Sequence, residues 1–292
     1  GDITIPVGGG AAAITAGAIV DADINSAAQI NATKIGTAGI TNTEFGYLDG
    51  VTGNIQTQLN NRPQQTTADI TYYVRTDGND ANNGLANTAA GAFKTINKAV
   101  SMIPTVVDHT VSINVAAGTY SETVNVMGRR GAGSITIVGI GTTTFVKSVT
   151  AFGVERLSIY NLTATDATQI GFYIQYGGFV TLSACVTTVA SSADGFNISF
   201  QHGVMTSCVV SNKTGAAISV NSGVLTVDNC TGTSNVIAFY GDNSAIIHTK
   251  GSTVPAGSSY VGAATTINPW GDNTRNNRSV ASATPSATQS VP

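Results

Sequence analysis

Charge is scarce in this chain. Of its 292 residues only 10% are Asp, Glu, Lys or Arg, well below the quarter usual for soluble proteins. The 13 basic and 16 acidic residues leave a net charge of -3, without the positive footprint of a protein that binds nucleic acid or an acidic membrane. Cysteine is sparse as well. Cys185, Cys208 and Cys230 are odd in number and show no CxxC spacing, which argues against a disulfide framework and against a zinc site. No run of about 18 apolar residues could span a membrane. The opening "GDITIPVGGGAAAITAG" has neither a basic leader nor a compact apolar core, so it is not read as a signal peptide, and a protein made and assembled inside a cell is expected.

Gly, Ala, Thr, Ser and Asn fill the gap, a composition that suits turn-dense β structure. The first 45 residues carry a third rhythm. Ile14, Ile19, Ile24, Ile30, Ile35, Ile40 and Phe45 recur every five or six positions, which neither a helix nor a strand can turn into one buried face. Such a stretch reads either as a leader with chance spacing or as an extended arm whose side chains peg into other subunits. Next, "FGYLDGVTGNIQTQL" sets Leu48, Val51, Ile55 and Leu59 three, four and four residues apart, one apolar stripe on a short helix. It packs either on copies of itself or on the rest of its own chain. A second amphipathic helix, "AFKTINKAVSMI", aligns Phe93, Ile96, Val100 and Ile103 and stops at Pro104.

From about residue 111 the chain is strand after strand, and it repeats. The phrases "GFVTLSAC", "GVMTSC" and "GVLTVDNC" end in cysteines 23 and 22 residues apart. The strands "IGFYIQ", "FNISFQ", "AAISVN" and "VIAFYG" recur in step, with turns such as "YGG", "QHG" and "NSG" between them. A fixed period of this length means a solenoid, and the expected form is a right-handed parallel β-helix whose rungs stack about 4.8 Å apart. Cys185, Cys208 and Cys230 then form an interior core ladder. The open ends need covering; the 93–103 helix is placed to cap the first rung, and residues 252–270, ending at Trp270, are placed to cover the last.

The block "YYVRTDGNDANNGLANTAAGAFKTINKAV", followed by "INVAAGTYSETVNV", resembles the opening of pectate-lyase-like β-helices in bacteriophage tail fibre and tailspike proteins. "DADINSAAQINATKI" and "NTEFGYLDGVTGNIQTQLNNR" resemble segments of phage fibre proteins upstream of the receptor-binding part. Together these phrases cover about residues 20–125. The resemblance implies that the 93–103 helix caps the solenoid, that "GTYSE" begins its first rung, and that the protein is a homotrimer. Leu48, Val51, Ile55 and Leu59 are then the candidate oligomerisation seam of a short coiled coil.

Signs of catalysis are weak. Glycoside hydrolysis needs two carboxylates about 5–10 Å apart, and Glu122, Glu155, Asp166, Asp194, Asp228 and Asp242 show no pair aligned by the repeat. "DGNDANNG" lacks the order of a calcium loop, the three histidines are scattered, "VGIGTTT" opens no helix, and Arg129 and Arg130 read as a solvated turn. Tyr173, Tyr176, Phe179, Phe196, Phe200, Phe239 and Tyr240 gather near the second strand; they are either core stacking or, where exposed, a receptor groove.

The expectation is an all-β protein in four parts: an anchoring arm and short helix (1–62), a linker and cap (63–110), a parallel β-helix (111–270) and a low-complexity tail (271–292). No catalytic, metal or cofactor site is expected. The expected role is a structural virion protein, a trimeric tail fibre or spike that holds other virion proteins by its arm and recognises a host-surface glycan. A capsid head fibre or decoration protein is the alternative, and a glycan-depolymerising tailspike is the third reading.

Overall fold

The computed structural model describes residues 3–4, 13–14, 41–60, 62, 64–243, 245–252, 256–261 and 266–269. The chain divides into two compact units, Gly1–Arg62 and Pro63–Pro292. In the first unit two short strands, Ile3–Thr4 and Ala13–Ile14, pair antiparallel with Ile3 opposite Ile14. Ile19, Ile24, Ile30, Ile35 and Ile40 lie outside the described residues.

Only half of the stripe expected on one helix, Ile55 and Leu59, is helical. Helix α1 (Asn42–Gly46) starts in a capping box, where Thr41 Oγ1 accepts from the Glu44 N–H and the Thr41 N–H donates to Glu44 Oε2 at 2.8 Å. Helix α2 is Ile55–Asn60. Between them the chain tightens into three-residue turns, Leu48 N–H to Phe45 O and Asp49 N–H to Gly46 O, and Gly50 at φ +82° reverses it. Leu48 and Val51 therefore sit in the connection, outside both helices. Gly50 and Gly53 each cost a helix about 1 kcal/mol, a large share for a segment this short.

The second unit is a parallel β-helix. Its first column stacks Ile70–Val74, Thr110–Val115, Ser134–Val138 and Arg156–Tyr160, then the second halves of Phe172–Ser183, Phe196–Thr206 and Ala216–Asp228, and finally Ile246–Lys250 and Thr266–Pro269. The second column stacks Gly118–Met127, Thr144–Phe152, the first halves of the same three long strands, Asn235–Gly241 and Ala256–Val261. A narrow third column runs through Thr163–Ala164, Val186–Thr187 and Val209–Val210. The solenoid begins at Ile70, not at 111, because Ile70–Val74 pairs in parallel register with Thr110–Val115 and buries Tyr72 and Val74 in the same core. Residues 256–261 and 266–269 continue the columns as strands and are not the cover expected there. Trp270 and the 271–292 tail lie outside the described residues.

Alternation within each strand sends every second side chain inward, and parallel register sets it on its equivalent one rung away. Val111, Ile135, Leu157 and Val180 form one such file, and Ile113, Ile137, Ile159, Leu182, Met205 and Val227 another. Gly203 interrupts the first file, and its missing side chain is replaced from next door: a Cβ there would lie 2.8 Å from Leu225 Cδ1 and 3.1 Å from Val180 Cγ1. In the second column Phe172 stacks flat on Phe196, with centroids 4.8 Å apart and planes at 9°.

The corner between the first and third columns explains the cysteines. Asn161, Ala184, Ser207, Asn229 and Gly251 all turn there with φ between 49° and 57°, and each of the first four donates its N–H to the first-column strand of the next rung. The residue after each points inward: Leu162, Cys185, Cys208, Cys230 and Ser252, all buried. Cys185 and Cys208 donate weakly to the carbonyls of Ile159 and Leu182, and Ser252 Oγ donates in the same sense to Val227 O at 3.1 Å.

The first rung is closed by α3 (Ile96–Ser101), whose Ile96, Ala99 and Val100 are buried with Phe93 and Ile103. Glu122 accepts from the N–H groups of Ile96 (2.7 Å) and Asn97 (3.0 Å), and Asp80 accepts from those of Lys94 and Thr95. The Asn97 side chain completes the exposed edge of Gly118–Met127, donating to Thr123 O and accepting from the Asn125 N–H. One amide thus stands in for the missing neighbouring strand.

Two outcomes follow from this packing. Phe196→Ala is expected to lower unfolding free energy by about 3–5 kcal/mol in urea titration, from lost burial plus the cavity left against Phe172. Tyr120 is buried, its hydroxyl donates to Ala116 O at 3.0 Å, and burial pushes its pKa up to about 12 from an ordinary 10.0. The neutral phenol therefore stabilises the fold in full below pH 10, and that contribution is lost as pH rises toward about 12. The stability advantage over Tyr120→Phe should shrink across that window and stay constant from pH 7 to 9.

Candidate functional site

Most of the side chains that could carry chemistry are occupied in holding the fold. Glu122 caps α3. Asp166 accepts from Thr168 N and Oγ1, which with its other local bonds holds its carboxyl below the usual range. Asp194 accepts from Ala216 N and Asn197 Nδ2, and Asp242 accepts from Asn243 N. In the "DGNDANNG" turn Asp77 pairs with Arg75 at 2.8 Å while Asp80 caps α3. Lys213 is wholly buried, donates its Nζ to Val189 O at 2.8 Å, and is pushed below the usual lysine range by that burial. The three thiols are free and buried. The Cys185 thiol, with burial, holds Cys208 far above the ordinary range, and Cys208 does the same to Cys230; thiols so protonated and enclosed are poor nucleophiles. Among the described residues no cluster of His, Cys, Asp or Glu could hold a metal, and no helix is long and apolar enough to cross a membrane.

The exception is the corner where the second column turns into the first. Successive rungs pass it at Gly153–Glu155, Tyr176–Gly178, Phe200–His202 and Ser222–Gly223. Glycine builds its floor by necessity. A Cβ on Gly177 would sit 2.1 Å from the Phe200 ring, and one on Gly223 only 1.6 Å from Phe200 O. The Glu155 carboxylate lies directly over Gly178, where a Cβ would come within 2.6 Å of its Oε1.

Tyr176 breaks two local rules at this corner. The register between neighbouring rungs runs from Gln175–Ser199 to Gly177–Phe200 and skips it, so Tyr176 is the extra residue of a β-bulge. Its φ is +57°, a conformation that costs a bulky L-residue about 1–3 kcal/mol. The ring is also 73% exposed. A bulge re-aims a side chain, and here it turns a tyrosine out of the wall. Phe152 supports it, with centroids 5.3 Å apart, and Tyr173 packs on Phe152 at 5.7 Å.

Tyr176 and Glu155 line both of two open hollows. One, of about 470 Å³, is completed by Arg130, Gly131, Ala132, Gly153 and Arg156. The other, of about 430 Å³, is completed by Gly177, Gly178, Ser199, Phe200, Gln201, Ser222 and Gly223. Arg129 does not take part. It turns back to donate to Met127 O and Val100 O, the second at the end of α3, and leaves Arg130 and Arg156 as the arginines that line the hollow. Of the seven aromatic residues expected near the second strand, Phe196 and Phe200 are core, while Tyr176 and Phe179 are exposed.

The chain is thus a parallel β-helix protein with an aromatic ridge, one acid and two arginines at one corner. Solved structures with some similarity are two crystal structures of the pectin methylesterase from Aspergillus niger, in deglycosylated and penultimately deglycosylated forms. Each is 16% identical and covers 77% of this chain and 93% of its own, with a TM-score of 0.37. A likeness at that level carries no argument about activity. No family model matches the sequence, and no curated protein does.

Backbone strain of this kind is removable. Tyr176→Gly is expected to raise unfolding free energy by about 1 kcal/mol, the strain relieved less the entropy cost of glycine, measured by urea titration; a loss of stability would show that the tyrosine is there for packing.

Proposed function

We propose that this chain is a structural protein of a bacteriophage virion, a homotrimeric tail fibre or short spike that anchors by its N-terminal unit and presents the β-helix to a host-surface glycan. The observation that carries the reading is Tyr176: an exposed aromatic ring held at a strained φ between two hollows, where stability alone would favour glycine. Sugar rings bind by stacking on such surfaces beside polar side chains and backbone amides. The N-terminal unit supports the assembly role. Phe45, Leu48, Val51, Ile55 and Leu59 are 41% to 52% exposed, an apolar series that copies of the same segment would bury around an axis.

Recognition without cleavage is favoured by where the uncommitted acids lie. Of the six candidate carboxylates, Glu155 and Asp228 accept no hydrogen bond among the described residues, and Asp228 Oδ1 is buried without a partner. The paired ladders 156–179–202–224 and 183–206–228 place them on rungs three apart, about 14 Å along the axis. Two-carboxylate glycoside hydrolysis needs about 5–10 Å.

Light scattering on the full chain is expected to give three times the 29.6 kDa chain mass. Leu48→Asp should shift it toward monomer while leaving the β-sheet circular dichroism intact. A monomeric wild type would refute the self-assembling fibre.

A further inference from the structure

Charge is distributed unevenly across the twin hollow, and this specifies the ligand further. The larger hollow holds Arg130, Arg156 and Glu155; the smaller holds Glu155 and otherwise neutral groups. Among the described residues the one ion pair within 4 Å is Arg75–Asp77, so neither arginine is neutralised by Glu155 or by any other described acid. In a chain with only 13 basic residues and a net charge of -3, two uncommitted guanidiniums in one hollow are a local excess of positive charge. Counted with Glu155 the hollow carries +1, enough for one monoanionic group and poorly suited to a dianion. Arginine presents a planar fork of donors that matches an oxyanion in two-point contact. Tyr176 lines both hollows, so a ligand spanning them can stack on its exposed ring.

We propose that the twin hollow binds an anionic saccharide: a monoanionic group on one sugar sits between Arg130 and Arg156, and the next, neutral sugar stacks on Tyr176 and extends over Gly177 and Gly178. Glu155 accepts hydroxyl hydrogen bonds from both sugars. This rests on the glycan-recognition reading and adds to it the charge and the polarity of the bound chain. The monoanion is a uronate-type carboxylate or a phosphodiester, since both offer two oxygens to the arginines.

The test is calorimetric titration of the full-length protein at low salt with oligosaccharides of hyaluronan and unsulfated chondroitin, in which uronate and neutral sugars alternate, each beside its carboxyl-reduced form, and with a glucosyl-substituted glycerol phosphate oligomer. At least one anionic probe is expected to bind at least tenfold more tightly than its neutral counterpart, which for the phosphodiester is glucosylglycerol. Whichever probe wins tells carboxylate from phosphodiester. Arg130→Gln with Arg156→Gln should abolish that preference and its salt dependence, while Tyr176→Ala weakens anionic and neutral forms alike; a thermal melt establishes that each variant is folded. Neutral forms binding as well as charged ones, through Tyr176, would overturn the charge assignment and leave glycan recognition standing. No binding by any probe would overturn both. Anionic binding untouched by the arginine substitutions would place the charge site elsewhere and also refute the proposal.

Discussion

The parallel hydrogen-bonded ladder is the constraint from which everything else in the β-helix follows. Once one rung pairs with the next in register, every inward side chain must fit the equivalent one about 4.8 Å away. A side chain that is too small has to be compensated from a neighbouring rung, as Leu225 and Val180 do over Gly203. The same constraint repeats the sharp corner at Asn161, Ala184, Ser207, Asn229 and Gly251. Those positions are not held to one residue type. Asn and Gly accept a left-handed turn readily, whereas Ala and Ser adopt it because the rungs on both sides leave no other path.

A ladder has ends, and its first end is closed by side chains that imitate backbone. Asn97 takes the place of a peptide unit against Gly118–Met127, while Glu122 and Asp80 accept the free N–H groups around the start of α3. Acids that look available for catalysis in the sequence are therefore committed to structure. That commitment leaves Glu155 conspicuous, since its carboxylate has no hydrogen-bond partner among the described residues where the wall is opened by glycines.

The corner around Tyr176 departs from the regular ladder. Left-handed turns recur at other corners on Asn, Ala and Ser, and other ladders slip register as well. Here an extra residue, a positive φ and an exposed aromatic ring coincide between two hollows lined by charge. Strain that a glycine would relieve is kept by a tyrosine, and the ring's position facing solvent is what that strain maintains.

The period was legible from residue numbers alone, because a rung of 22 or 23 residues writes the same inward phrase each time; the cysteine spacing, the capping helix stripe and the glycine turns all carry it. The start of the solenoid was not legible, because Ile70–Val74 is separated from its rung partner by the cap insertion and lies off the period. The stripe at 45–59 read as one helix because spacing reports which side chains share a face, not whether Gly50 lets the backbone continue. The site was visible only in pieces: "YGG" and "NSG" as turns, Arg130 as a solvated charge, Tyr176 as one aromatic among seven. What the sequence determined by itself is the repeat and the apolar identity of its interior, since both are properties of spacing along the chain. What only the tertiary structure decided is that Glu122 and Asp194 are spent on backbone N–H groups and which aromatic ring leaves the wall, because these depend on contacts between segments more than twenty residues apart.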